Sequence, residues 1–146
     1  MANTVFGAGT TSKLFMNVRE KLSLCYRVAS IFEAQKGFLQ IYAGIDSEKQ
    51  QAATDEILLQ LCDTQKGEIT DEELQNAKNT LKNATRTYTS SPDTIAAWSL
   101  PRILSGVEVS PELEIERVEK ITKEEAASAF SRLTEDTFYC LKQEEA

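Results

Sequence analysis

The chain has 146 residues, 41% of them hydrophobic, which suffices for one domain with a buried core and is too little for two ordinary domains. Its 16 basic and 23 acidic residues give a net charge of -7. This balance argues against nucleic-acid and anionic-membrane partners, because phosphate contacts need clustered positive potential. We therefore expect residues 1–146 to form a single domain with neither kind of partner.

Cysteine and histidine usage restricts the chemistry further. Cys25, Cys62 and Cys140 are odd in number and lack C-x-x-C spacing, which fits a reducing compartment and predicts a cytoplasmic location. The sequence contains no histidine, so it lacks both the commonest zinc ligand and the commonest general base near neutral pH. The chain alone is not expected to be an enzyme or to hold a cofactor.

The first residues predict the end of a helix. Val5 and Phe6 are apolar and stand directly before Gly7 and Gly9, as in a last helical turn followed by a glycine turn. A natural domain rarely begins on a helix's last turn. We therefore expect that Met1 marks a truncation and that a strand precedes it in the parent protein.

An amphipathic helix is predicted next. Thr10, Thr11 or Ser12 can cap its amino terminus, and the helix is expected to end near residues 22–23. Its apolar residues recur at three- and four-residue spacing. They are Leu14, Phe15, Val18 and Leu22.

Two β-like segments follow at 25–33 and 38–45, joined by a turn at Gln35, Lys36 and Gly37, and they predict an antiparallel hairpin. A third, short strand is expected at Thr137 to Leu141. The strand expected before the start of the chain would be a fourth.

Helices are predicted between the hairpin and the last strand. The first has a cap at Asp46 or Ser47 and runs to about Lys66, with Gly67 as its stop. The later helices are marked by caps and apolar runs: a capping box at Thr70 and Glu73, an apolar segment from Thr94 to Leu104 interrupted by Pro101, a start at Ser110 and Pro111, and a capping box at Thr122 and Glu125. The predicted fold class is α+β, with helices covering one face of a small antiparallel sheet.

The segment GAGTTSK at 7–13 superficially resembles a phosphate-binding loop. Ser12 stands where a glycine precedes the lysine, and Leu14 stands where serine or threonine follows it. Because that mechanism needs those backbone amides and that hydroxyl, the pattern favours a plain glycine turn before a helix.

Other chemically suggestive residues have structural interpretations. Acidic residues group in first helical turns, where the helix dipole favours them. They are Asp71, Glu72, Glu73, Glu124 and Glu125. Cys25 is interpreted as a small buried hydrophobe, with a reactive thiol beside Arg19 and Tyr26 as the alternative. Trp98 and Arg102 are spaced for a cation–π contact, although an apolar helix with tryptophan usually belongs to the core.

A family resemblance emerges from two segments. Residues 7–15 read G-x-G-x-x-S-K-L-F, and residues 18–28 read V-R-E-K-x-x-L-x-Y-x-V. Together they resemble the carboxyl-terminal domain of the M16 zinc metallopeptidases, which include insulysin, pitrilysin and the mitochondrial processing peptidases. The later order of hairpin, long helix, capping-box helix and tryptophan-containing helix is also similar.

The resemblance implies a clamshell of related α+β units around a chamber for a short polypeptide. Zinc would belong to the amino-terminal half, on a His-x-x-Glu-His helix that this chain lacks. The arginine and tyrosine that match Arg19 and Tyr26 reach toward bound substrate near the scissile bond. A guanidinium can donate to peptide carbonyls, and a phenol can donate to a developing oxyanion.

Three positions depart from the family pattern. Arginine is common where Lys13 stands, and Arg-Gly is common where Leu22 and Ser23 stand. Serine tolerates positive φ poorly, so an altered turn and a changed aim of Tyr26 are expected.

The leading hypothesis is a non-catalytic, substrate-positioning domain of a bacterial M16-like zinc peptidase or of its inactive partner subunit, with Arg19 and Tyr26 as substrate-binding residues. Its expected partners are the amino-terminal half or a partner subunit and a peptide substrate, and a homodimer is left open. The alternative is a protein-interaction or assembly module with a peptidase-derived fold and no substrate role.

Overall fold

The computed structural model describes residues 1–34, 36–107 and 110–142. In chain order its elements are α1 (Ala2–Phe6), a π-helix (Leu14–Lys21), β1 (Arg27–Glu33), β2 (Phe38–Gly44), a 3-10 helix (Ser47–Lys49), α2 (Gln50–Lys66), α3 (Asp71–Tyr88), α4 (Pro92–Leu104), α5 (Pro111–Lys120) and α6 (Lys123–Phe130). The predicted α+β class is confirmed.

The sheet is an antiparallel hairpin of β1 and β2 with Arg27 opposite Gly44 and Glu33 opposite Phe38. Because side chains alternate along a strand, Val28 and Ser30 share the face that the helices cover. The amide of Ser30 donates to the carbonyl of Gly7 at 3.0 Å. This bond ties the turn after α1 to the outer edge of β1.

A cluster of apolar side chains joins both ends of the chain. The rings of Phe6 in α1 and Phe130 in α6 meet edge to face, with centroids 5.3 Å apart and planes at 62°. The buried members of this cluster are Ala2, Val5, Phe6, Leu14, Val18, Cys25, Val28, Ile69, Ala77, Ala126 and Phe130.

The predicted amphipathic helix is present but is wound as a π-helix. Leu14 and Val18 are buried as expected. Leu22 lies beyond the last helical residue, Lys21, and is exposed. The Ser12 hydroxyl donates to the Gly9 carbonyl at 2.7 Å and accepts from the next turn, so it supports the helix start as a cap would. π-Helical turns are rare and often lie beside functional sites.

The capping residues predicted from the sequence mark the starts of most of the later helices. Thr70 with Glu73 and Thr122 with Glu125 form the two predicted capping boxes. These contacts confirm a structural role for the two glutamates. Gly67 ends α2 with φ at 83°, a left-handed conformation that favours glycine.

Two sequence expectations about the later chain are wrong. Pro101 does not interrupt α4, because it lies in the last turn and removes only one intrahelical hydrogen bond there. The segment 137–141 is not a strand. Its side chains at Phe138, Tyr139 and Leu141 are exposed, and no described strand lies beside it to supply backbone partners.

The predicted hairpin turn is only partly described. Gln35 lies outside the described residues, whereas Lys36 and Gly37 donate their amides to the carbonyl of Glu33. Within the described residues, no helix combines the length and apolar character needed to cross a bilayer.

Candidate functional site

Arg19 and Tyr26 line the same concave site, which encloses about 420 Å³. Arg19 comes from the last turn of the π-helix, and Tyr26 stands immediately before β1. The other lining residues are Glu20, Ser23, Leu24, Cys25, Asp46 and Lys49. The two residues singled out from the sequence therefore line one concavity.

The turn between the two residues is tightly held. Ser23 has φ at 50°, the left-handed conformation, and its amide donates to the carbonyl of Arg19 at 3.1 Å. The amide of Tyr26 donates to the carbonyl of Gly44 at 2.8 Å, which fixes the start of β1 against the end of β2. The expectation that serine would avoid positive φ here is wrong, because these backbone bonds hold Ser23 in that conformation.

Arg19 has two neighbours on its own helix. Its Nη1 lies 3.3 Å from Oε1 of Glu20, and its guanidinium carbon lies 4.6 Å from the ring centre of Phe15. The side chain is about two-fifths exposed, so further donor hydrogens remain open to a ligand. A stacked, half-exposed guanidinium is a preorganised donor.

Tyr26 is hydrogen-bonded to a residue that follows β2, at the same open end of the hairpin. Its hydroxyl donates to Oδ1 of Asp46 at 2.7 Å. This hydrogen bond, followed by the negative charge of Asp46, raises the pKa of the Tyr26 phenol. Tyr26 is consequently a neutral phenol at physiological pH.

Asp46 does not play the role predicted from the sequence. It stands at the cap position of the 3-10 helix but makes no side-chain cap bond. The carboxylate turns to Tyr26 instead. The helix of residues 50–66 follows from Lys49, so the prediction of a cap at Asp46 or Ser47 is wrong in its contacts although nearly right in position.

Lys49 is the second site residue that the sequence did not reveal. Its Nζ donates to the carbonyl of Ser23 at 3.0 Å. Together with the Tyr26–Asp46 bond, this contact joins segment 23–26 to segment 46–49. Both contacts span more than a dozen residues, so no local spacing could have signalled them.

Cys25 is a buried thiol within the site. Burial raises its pKa, and the charge of Arg19 opposes that rise only in part. A raised pKa lowers the thiolate fraction, which favours the hydrophobic interpretation of Cys25 over the reactive one.

The lysine of the glycine-rich segment is not directed at a phosphate site. Lys13 is buried, and its Nζ lies 3.0 Å from Oε1 of Glu73 at the start of α3. Trp98 is also buried, with the guanidinium carbon of Arg102 4.4 Å from its ring centre. Trp98 is therefore a buried residue, as predicted, and it also makes the predicted cation–π contact with Arg102.

A larger concavity of about 630 Å³ lies between the hairpin turn and α6. Its lining includes Phe32, Arg132 and Leu133, and neither Arg19 nor Tyr26. Its larger volume would favour this surface as a binding site, but it lacks the arginine and tyrosine pair of the smaller site.

The residues present do not fit a zinc site. The sequence has no histidine, and the described residues contain no group of three or more cysteine or carboxylate side chains arranged for a metal ion.

The sequence is similar to a known protein family and to a curated bacterial protein. The model of the peptidase M16 inactive domain matches residues 1–81. A Bacillus subtilis (strain 168) protein described as probable inactive metalloprotease YmfF is 30% identical over 140 residues, which cover 96% of this chain and 33% of that protein. The chain thus spans about one third of this curated relative.

Solved structures share the fold. A conserved protein from Enterococcus faecalis V583 aligns with a TM-score of 0.83 and 28% identity, over 90% of this chain and 31% of the other. The peptidase M16 inactive domain from Pseudomonas fluorescens aligns with a TM-score of 0.79 and 22% identity, over 92% of this chain and 33% of the other. With the family model matching more than half of its residues, this chain belongs to the peptidase M16 inactive domain family.

Proposed function

We propose that this chain is a substrate-positioning, non-catalytic domain of an M16-like zinc peptidase or of its inactive partner subunit. Residues 1–146 act as one domain that adds Arg19 and Tyr26 to a peptide-binding chamber. The observation that carries the proposal is that both residues line one concavity, on mounts fixed by backbone hydrogen bonds.

The chemistry of the pair suits an extended peptide. Arg19 offers several donors in a fixed plane to peptide carbonyls. Tyr26 brings a phenol that lies at the start of a strand and is mostly exposed. Residues mounted on rigid elements hold a ligand with little loss of entropy on binding.

The rest of the machinery would come from outside this chain. In the proposal, an amino-terminal M16-like half or a partner subunit closes the chamber and, where the parent protein is active, carries the zinc. We also propose a bacterial, cytoplasmic setting, supported by the three free cysteines and the bacterial relative.

Peptide binding to the complete parent protein tests the proposal, because it responds whether or not the parent cleaves. Arg19→Ala removes charge-assisted hydrogen bonds, so we expect affinity for a short fluorescent peptide to fall about tenfold or more. Tyr26→Phe is expected to weaken binding by a smaller factor.

The hairpin supplies matched controls for this experiment. Arg27 and Tyr42 are a second arginine and tyrosine in mutual contact, with Nη2 3.4 Å from the hydroxyl, and neither lines the concavity. Arg27→Ala and Tyr42→Phe should leave peptide affinity unchanged. Equal losses in the two pairs of variants would contradict a specific role for Arg19 and Tyr26.

A second candidate is an assembly module without a substrate role. The exposed apolar side chains on and after α4 favour it, because apolar surface of this kind commonly meets another protein. They are Leu100, Ile103, Leu104 and Val107. If Leu104→Glu abolishes association with the other half or with a second copy, while Arg19→Ala leaves peptide handling intact, this candidate replaces the first.

A further inference from the structure

We infer that Asp46 is a positioning residue that makes Tyr26 a hydrogen-bond acceptor in the free protein. The inference rests on the proposed function of the concavity and deepens it. Arg19 would meet the carbonyl groups of a bound peptide, and the Tyr26 oxygen would meet its N–H groups.

The hydrogen bond between Tyr26 and Asp46 occupies the phenol proton. The Tyr26 hydroxyl and Oδ1 of Asp46 are 2.7 Å apart, a normal length for a phenol that donates to a carboxylate. An ionised carboxylate has no proton to donate, so the single proton of this contact is that of Tyr26. The phenol therefore keeps only its lone pairs for a further partner.

Asp46 forgoes a local cap bond and bonds to Tyr26 instead. An aspartate at a cap position ordinarily accepts from the backbone amides of the helix that follows. Here the side chain makes no such bond. Its contact with Tyr26 is thus selected by the tertiary structure rather than by local sequence.

The side chain of Tyr26 has few other restraints within the described part of the chain. The residue is 71% exposed, so packing does little to orient its ring. The backbone of Tyr26 is fixed by the bond to Gly44, and the neighbouring segments are joined by the bond from Lys49 to Ser23. Among the described residues, the Asp46 hydrogen bond is the side-chain contact that sets the position of the phenol oxygen.

The charges around the phenol support the same assignment. The charged residues that line the same concavity are Arg19, Glu20, Asp46 and Lys49, two of each sign. Asp46 raises the pKa of Tyr26, which keeps the phenol neutral and its proton engaged. Donation to a developing oxyanion would first require that the bond to Asp46 be broken.

The consequence is a site with complementary halves. An extended peptide presents N–H and C=O groups in turn along its backbone. Arg19 can only donate, and Tyr26 held by Asp46 can only accept. The substrate class is therefore a peptide with free backbone N–H groups, read through the main chain rather than through one side chain.

Tyrosine titration of the 146-residue chain tests the hydrogen bond between Asp46 and Tyr26. Tyrosinate absorbance is followed with pH, and Tyr26→Phe identifies the Tyr26 transition. We expect Asp46→Asn to lower the Tyr26 pKa toward that of an ordinary tyrosine and Asp46→Glu to restore part of the rise. Asp55→Asn, another exposed aspartate whose partner is Gln51, serves as the control. An unchanged Tyr26 transition in Asp46→Asn overturns the inference.

A binding experiment separates this inference from the proposed function. The probes are a short capped peptide of alanine, serine and glutamine and its ester analogue, in which backbone N–H groups are replaced by oxygen. We expect the parent protein to bind the amide peptide about tenfold more tightly and Asp46→Asn to lose much of that preference. Equal affinity for both probes contradicts the inference alone. Binding of neither probe contradicts the proposed function, while the titration still decides the role of Asp46.

Discussion

Lys13 and Glu73 form an ion pair that joins the turn before the π-helix to the first turn of α3, with Nζ and Oε1 3.0 Å apart. The other carboxylate oxygen of Glu73 accepts the amide of Thr70 at 2.8 Å and so completes the capping box. One carboxylate thus serves a helix end and a buried ammonium together. Its two roles can be separated by substitution.

Glu73→Gln should lower the free energy of unfolding by about 2 kcal/mol, because glutamine can still accept from Thr70 but leaves the buried charge of Lys13 without a counter-ion. Urea unfolding measures the change. Glu125→Gln is the control, since Glu125 fills the same cap position in α6 and does not contact Lys13. Equal losses in both variants would show that the cap, and not the ion pair, accounts for the effect.

Gly7→Ala should destabilise the fold by about 1–3 kcal/mol, the usual range for overpacking. A Cβ at Gly7 would come within 2.9 Å of Cβ of Ser30 and 2.8 Å of a methyl group of Leu14, so both neighbours would have to move. Thermal melting measures the loss. Gly44→Ala is the control because nothing lies within 4 Å of the added methyl group. A melting temperature unchanged in Gly7→Ala would disprove the close approach.

Ser23→Gly should stabilise the chain by about 0.5–1 kcal/mol, because relief of left-handed strain exceeds the added chain entropy of glycine. Ser131 gives a control of opposite sign, since its φ is -59°, so glycine there relieves no strain, adds flexibility and removes the hydrogen bond from the Ser131 hydroxyl to the carbonyl of Ser128. Ser131→Gly is therefore expected to destabilise. Chemical unfolding of the two variants measures both signs, and a loss of stability in Ser23→Gly would contradict the strain argument.

Lys82→Met should reduce stability near neutral pH and have little effect in acid. The hydrogen bond from Lys82 lowers the pKa of Glu119 below its ordinary value of 4.5. A lowered carboxyl pKa contributes stability that is present above the ordinary value and is lost as the pH falls through the folded-state value. The urea unfolding midpoints of the unsubstituted chain and of Lys82→Met, taken from neutral pH into acid, measure the difference in stability. A difference that stays constant with pH would contradict the linkage.

Cysteine alkylation should follow the order Cys140, then Cys62, then Cys25. Cys140 is exposed, Cys62 is half-buried and Cys25 is buried, with a pKa that burial raises. Because only the thiolate reacts, Arg19→Ala should slow Cys25 further by removing a charge that lowers its pKa. Peptide mass spectrometry resolves the three sites. Faster labelling of Cys25 in that variant would show that access, rather than ionisation, limits its reaction.

Local sequence signals predicted the helices well because their determinants lie within a few residues. Thr70 finds Glu73 three positions later, and Gly67 stops α2 by its own backbone freedom. The hairpin was likewise predictable from two β-like segments and a short turn. Such features need no knowledge of the rest of the chain.

Features that depend on distant partners were not predictable in this way. The apolar run 137–141 has strand-like composition, but a strand also needs a neighbour with free backbone groups. Asp46 has the residue type and the position of a helix cap, yet its hydrogen-bond partner Tyr26 lies 20 residues away. The family resemblance points to Arg19 and Tyr26, whereas the roles of Asp46 and Lys49 depend on contacts with residues more than a dozen positions away.

Because the edge-to-face contact between Phe6 and Phe130 joins residues far apart in the sequence, we expect this part of the core to form late in folding. Contacts of such long sequence separation form slowly, because loop closure must precede the gain from burial. During synthesis, the apolar face of α1 leaves the ribosome long before α6 exists to cover it. A nascent chain halted before α6 would therefore expose part of that face, and the core of this unit is expected to close only after α6 has been synthesised.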